Sequence, residues 1–215
     1  MTETGAKSPR ERYRAQMQAE IKQCAWEQIA TAGASALSLN AIAKQVGMSG
    51  PALYRYFASR DELITELIRD AYRSLGDTLR EARDSGADVA GLAYALRDWA
   101  LADPQRYFLI YGTPVPGYHA PDDTTEISNE IMTMLIEAFS ARPPVKPTTP
   151  FDAHLEHHRR WAADHSVPAT TLHGAVSFWT RLHGVLSLEL AGHFTGMEFD
   201  PALLFSDELN SLETH

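Results

Sequence analysis

The sequence predicts an all-α protein, with a three-helix amino-terminal head joined by a long fourth helix to a larger helical body. Three observations carry this reading. Apolar residues recur at helical spacing through almost the whole 215-residue chain. No strand-like alternation runs for more than a few residues. Prolines break the second half of the chain into separate helical stretches.

The elements follow in order. Met17, Ile21, Cys24, Ile29 and Ala32 mark a first helix ending near Gly33. Ser38 caps a second, short helix through Val46, with Leu39, Ile42, Ala43 and Val46 turned inward. Gly47-Met48-Ser49 reads as a tight turn, and Gly50 to Phe57 as a third, short helix. Ser59 followed by Glu62 is a capping box opening a long fourth helix, whose stripe is Leu63, Ile64, Leu67, Ile68, Ala71, Leu75 and Leu79. Leu92, Leu96 and Trp99 mark a helix that stops near Asp103-Pro104, and a short one runs from Gln105 to about Tyr111. Gly112 to Gly117 holds two prolines and two glycines and must be a loop. Further helices are expected over 123–141, 151–165 and 169–194, with Pro201 opening a last one. Arg142 to Pro147 reads as a stiff, extended connector.

Composition sets limits. An apolar fraction of 44% supports a packed core and excludes disorder for the bulk of the chain. The richest apolar stretch, Gly184 to Gly192, is interrupted by Glu189 and falls far short of the ~20 residues a bilayer requires. Met1 to Arg14 is polar and has no apolar run behind it, unlike a secretory signal. Cys24 is the single cysteine, so no intramolecular disulfide framework exists, and it reads as a small buried hydrophobe. These features lead us to expect a cytoplasmic protein.

Charge is segregated. Residues 1–60 hold eight Lys or Arg against four Glu, a net +4, whereas residues 61–215 hold 11 basic and 24 acidic residues, a net −13. An acidic protein with a basic amino-terminal quarter suggests that this quarter alone meets a polyanion. The basic arm Lys7, Arg10, Arg12 and Arg14 reads equally as a solvated tail or as a strap on nucleic acid.

The chemistry lies between Leu37 and Phe57. Two short amphipathic helices around a Gly-x-Ser turn have the grammar of a helix-turn-helix. Gly47 suits the left-handed position that ends the first of the pair, and Ser49 the cap of the second. Gly50, Pro51 and Ala52 are small, so the second helix can bring its amino-terminal N–H groups close to phosphates or base edges. Leu53 and Phe57, four apart, anchor it, while Tyr54, Arg55 and Tyr56 project outward. Arg55 is the side chain able to fork onto guanine O6/N7.

The run Ile42-Ala43-x-x-Val46-Gly47-Met48-Ser49-x-x-x-Leu53-Tyr54-x-Tyr56-Phe57-x-Ser59-Arg60-x-Glu62-Leu63 resembles the DNA-binding domain of the TetR family of bacterial transcriptional regulators. Arg60 stands where that family commonly has lysine, and Gly50 lacks a side chain at a position able to read a base. The carboxy-terminal part, with Pro104-x-x-Tyr107 through Tyr118 and with Trp179, His183 and Gly184, resembles the family's Trp-His-Gly subset. The resemblance implies a homodimer that binds operator DNA and releases it when a small molecule enters the body. Residues 1–60 are then the DNA-binding domain with its basic arm, and residues 61–215 the ligand-binding and dimerisation domain. Ser38, Lys44, Ser49, Gly50, Pro51, Ala52, Tyr54, Arg55, Tyr56 and Arg60 are the expected DNA-binding residues, with Arg60 on phosphate.

For the effector, Trp99, Tyr107, Tyr111, Phe178, Trp179 and His183 supply an aromatic lining, with Tyr107, Tyr111, His183 and Glu189 as polar anchors. The same residues are compatible with a solid aromatic core. The helix beginning at Ala169 carries a second face of small residues, Ser177, Gly184 and Ala191, which places it in a dimer interface. His154, His157 and His158 have metal-ligand spacing but no cysteine partner, and no metal or other cofactor is expected. No catalytic triad or paired-carboxylate arrangement can be argued from spacing. The competing readings are a helical enzyme, or a partner-binding protein, with a DNA-reader-like amino terminus.

Overall fold

The structure, a computed structural model, describes residues 8–119, 121–143, 149–162 and 164–213. Lys7 of the arm and residues 144–148 of the proline connector lie outside them. Ten α-helices are described: α1 (Pro9–Ala32), α2 (Leu39–Gln45), α3 (Gly50–Leu53), α4 (Arg60–Asp84), α5 (Val89–Ala102), α6 (Pro104–Tyr111), α7 (Asp122–Ser140), α8 (Pro150–His157), α9 (Ala169–Leu190) and α10 (Pro201–Glu213). None is long and apolar enough to cross a membrane.

The chain divides into two compact units. One comprises the residues up to Asp70 together with Thr113–Pro121; the other comprises Ala71–Gly112 and the chain from Asp122 onward. The division between the two units falls inside α4, at 70–71. Leu63, Ile64, Leu67 and Ile68 of that helix are buried, as are Met17, Ile21, Ala25 and Ile29 of α1. Lys22 ties the two helices from the side, with Nζ 2.7 Å from Asp70 and 3.4 Å from Glu66. The α6–α7 loop belongs to this head: Val115 is buried, and the Tyr118 and Thr65 hydroxyls are 3.0 Å apart.

The body is built around α9. Leu172, Ala175, Phe178, Leu182 and Leu186 are completely buried in a core shared with α5, α7, α8 and α10. Burying the 27 side chains of this core is the main stabilisation of the unit, at ~1.5–3 kcal/mol for each large aliphatic one. Gly174 permits the close approach of α7 to α9, since a Cβ there would lie 2.8 Å from Phe139 Cδ1.

Four sequence expectations change. Arg10, Arg12 and Arg14 are not a tail but the first turns of α1. Ser8 accepts from Glu11 N and Glu11 reaches back to Ser8 N, a capping box, with Pro9 at the first helical position. Cys24 is half-buried, because the inward face of α1 runs through Ala25 instead. α3 is one turn only, and residues 54–56 continue as a hydrogen-bonded turn. α8 ends at His157 rather than near 165, because Arg159 donates to the Glu156, His165 and Val167 carbonyls and Trp161 Nε1 to that of His158. Side chains there take acceptors that a continuing helix would have used.

Candidate functional site

In the head, α2 and α3 are set by their turn. Gly47 has φ +70°, the left-handed region that glycine enters without strain, and Met48 N closes the turn on Ala43 O at 2.8 Å. Ser38 caps α2 by accepting from Ala41 N at 3.3 Å. Ser49 occupies the cap position of α3 but makes no side-chain cap bond; its carbonyl takes Ala52 N and Leu53 N, so its hydroxyl stays on the surface. Leu53 and Phe57 are buried, as expected, which turns the opposite face outward.

That face carries Lys44, Ser49, Pro51, Tyr54 and Arg55, all exposed, with Gly50, Ala52 and Tyr56 half-exposed beside them. Among the described residues, Lys44 and Arg55 have no acidic partner. Asparagine 40 limits nothing at Gly50, where a Cβ would meet only its Oδ1 at 3.7 Å. Arg14 organises the far side of the face: its Nη2 donates to Arg55 O at 3.2 Å and its guanidinium stands 5.5 Å from the Tyr56 ring centroid. Sequence reasoning missed this role, although the Ser8-Pro9-x-Glu11 signal for a helix there was present.

Arg60 has partners within the head itself. Its Nε donates to Leu37 O at 3.2 Å, and its Nη2 to Ala34 O at 2.8 Å and to Ser35 O at 3.1 Å. The group read as a phosphate contact is engaged in clamping the turn before α2 to the start of α4.

In the body, four of the six effector-side residues come together. Tyr107 is completely buried, and its hydroxyl lies 2.9 Å from His183 Nδ1. Ring centroids of Tyr111 and His183 are 4.3 Å apart, those of Trp179 and His183 4.1 Å, and those of Tyr111 and Trp179 5.3 Å. Tyr72 of α4 closes the group edge-on, 6.0 Å from Tyr111. Burial lowers the His183 pKa to about 4 and raises that of Tyr111 well above its ordinary value. All five rings are therefore uncharged at neutral pH.

The other two residues lie elsewhere. Trp99 Nε1 donates to Ser74 Oγ at 3.1 Å, and the buried Phe178 stacks edge-on against Phe139 at 5.9 Å. Glu189, read as an anchor, is bound bidentately by the buried Arg97, with Nη2···Oε1 at 2.8 Å. Arg97, which the sequence reading overlooked, also stands 5.2 Å from the Phe205 ring. An open groove of about 300 Å³ between α4 and α7 is lined by Arg80, Arg83, Glu130 and Glu137, so it is too charged for an apolar guest.

On α9, Gly184 is exposed and a Cβ there would meet nothing within 4 Å. Leu188 is exposed beside it. Ala191 follows the last helical residue as its cap. Among the described residues no group of three or more His, Cys, Asp or Glu is arranged to hold a metal ion. The His154 and His158 rings are stacked at 3.9 Å and 7°, a geometry that keeps their nitrogens in parallel planes, and His157 is exposed.

Comparison with known proteins agrees with this geometry. Residues 23–67 match the family model described as bacterial regulatory proteins, tetR family, and residues 89–212 match the tetracyclin repressor-like C-terminal domain. The chain is 35% identical, over 99% of its length and 97% of theirs, to the HTH-type transcriptional regulators Rv1816 of Mycobacterium tuberculosis and Mb1846 of Mycobacterium bovis. The crystal structure of SCO4313, described as a regulatory protein, is 69% identical with a TM-score of 0.91, covering 97% of this chain and all of that one. A protein from Rhodococcus sp. RHA1 shares the fold at 18% identity and a TM-score of 0.67, over 98% and 95% of the two chains.

Proposed function

The chain belongs to the TetR family of bacterial transcriptional regulators and carries its DNA-binding domain, and from that premise we propose that it is a dimeric repressor released from operator DNA by a small-molecule effector. One observation carries the DNA-binding part. The helix-turn-helix buries Leu53 and Phe57 and leaves Lys44, Ser49, Pro51, Tyr54 and Arg55 on one exposed face, where Lys44 and Arg55 have no acidic partner among the described residues. Arg55 reads a guanine edge, Lys44 meets phosphate, and Gly50 to Ala52 let the backbone approach the strand closely. Arg60 positions the reader from behind.

Dimerisation through α9 is supported by Gly184. A helical glycine costs about 1 kcal/mol relative to alanine, and none of the described residues occupies the space a methyl group would fill there. A second copy packed against Ser177, Gly184 and Leu188 accounts for it. Effector control is supported by the aromatic group around His183, in which Tyr107 is buried and the other four rings are half-buried. A bound effector favours a head spacing that does not fit successive major grooves, and so shifts the population away from DNA.

Selection from a random duplex pool tests the reading. A near-palindromic site should be enriched, with affinity falling linearly in log–log form as salt rises. Arg55→Ala should cost ~1–3 kcal/mol on that site while leaving binding to random DNA nearly unchanged. A pool that yields no enriched sequence overturns the proposal.

A further inference from the structure

Two buried polar atoms in the aromatic group have no hydrogen-bond partner: the Tyr111 hydroxyl and His183 Nε2. Each belongs to a ring in contact with the other, with Trp179 against both. Buried polar groups are nearly always paired, and leaving two orphaned on adjoining rings is costly. Such atoms are completed by something outside the chain, an ordered water or a ligand.

Their chemistry can be worked out. Tyr107 has one hydroxyl proton, and His183 Nδ1 at 2.9 Å is nearer than His183 O at 3.3 Å. That carbonyl already accepts from the Ser187 hydroxyl. Assigning the Tyr107 proton to Nδ1, the nearer acceptor, makes that nitrogen the bare one and puts the ring N–H on Nε2. Tyr111 O–H is likewise a donor. The group thus presents two donors and no charge within walls of Tyr72, Tyr107 and Trp179.

We propose that this group is the effector-recognition site and that it takes an uncharged, planar, largely apolar molecule whose carbonyl or similar oxygen accepts from Tyr111 Oη or His183 Nε2. The inference rests on the effector-controlled reading and deepens it by naming the ligand class. A carboxylate is disfavoured because, among the described residues, no ion pair or cation–π contact is made to any of the five rings, and a charge buried there would be unpaired. A quaternary ammonium suits aromatic walls but offers nothing to the two donors. The rings touch one another, so entry requires Tyr111 and Trp179 to part.

Three compounds of one shape isolate the oxygen and the charge. Acetophenone carries the ketone, α-methylstyrene replaces its oxygen by CH₂, and benzoate replaces its methyl group by a charged oxygen. Titrated into the full chain labelled with ¹⁵N-histidine, acetophenone should shift the His183 Nε2 resonance saturably. The other two should bind at least roughly tenfold more weakly. Tyr111→Phe should weaken acetophenone by a similar factor without lowering the melting temperature, because the hydroxyl it removes has no partner in the fold.

Equal binding by all three compounds, or no saturable shift with acetophenone, overturns the assignment. A lowered melting temperature for Tyr111→Phe also overturns it, since the hydroxyl would then serve the fold. Affinity for the selected duplex, measured on the same sample, separates the two failures. Operator binding without an acetophenone response removes the ligand class alone, whereas absent operator binding removes the regulator reading.

Discussion

Burial holds His183 neutral, lowering its pKa from an ordinary 6.5 to about 4. The unfolded chain binds a proton between those two values that the folded chain refuses. This contribution to stability is therefore complete above pH 6.5 and is lost as pH falls toward 4. The interval corresponds to roughly 3 kcal/mol. Denaturation midpoints should accordingly drop further between about pH 7 and about pH 5 for the native chain than for His183→Gln. Parallel drops would mean that the ring is not held neutral. Arg60 makes a second test at this scale. Its replacement by alanine removes donors from three carbonyls, so it should destabilise the head by about 1–3 kcal/mol. The salt slope of DNA binding should stay unchanged; a slope shallower by about one would restore the phosphate role. Both residues show where single positions escape sequence reading. Arginine beside a reader helix has the composition of a phosphate contact, and only the carbonyls of Ala34, Ser35 and Leu37 show what its donors do.

At the scale of elements, helical periodicity was enough to find α2, α4, α5, α6, α7, α9 and α10 to within a few residues. Each has a clear apolar stripe and a cap, proline or glycine near its ends. The errors lie where local side chains compete with the stripe. α8 stops early on Arg159 and Trp161, and α1 begins early because the capping box at Ser8 outweighs the polar composition of its first turns. The aromatic group was legible as a set of residue types, but Trp99 on α5 donates to Ser74, and Phe178 shares α9 with two members while facing Phe139. Spacing alone does not resolve which way a ring turns. The two glycines of α9 give opposed expectations. Gly174→Ala drives a Cβ to 2.8 Å from the ring of Phe139, itself buried and set against Phe178, and should cost about 1–3 kcal/mol. Gly184→Ala meets no atom of its own chain and should gain up to about 1 kcal/mol of helix stability in a monomer. Gly184→Leu should then yield folded monomers by sedimentation at micromolar concentration. A dimer that persists in Gly184→Leu would move the interface off this face.

For the whole molecule, the argument joins the reader to the interface. In the proposed dimer each head reads with a one-turn α3, and one head by itself should bind a half-site weakly. Two heads held at a fixed separation bind together, and the second pays little further entropy of association. The separation must match successive major grooves on one face of the duplex, ~34 to 36 Å apart. Inserting five base pairs at the centre of the selected site rotates one half-site by about half a turn relative to the other, and a dimer can then engage only one. The native chain should consequently lose most of its affinity for the lengthened duplex. Gly184→Leu should bind the original and the lengthened duplex alike, each at the single-head level. The comparison needs both results, because loss of affinity in the native chain alone could come from altered duplex bending. Should Gly184→Leu discriminate between the two duplexes as strongly as the native chain, the heads are coupled through some surface other than α9. The symmetric arrangement proposed above would then fail, even with Arg55 reading its base.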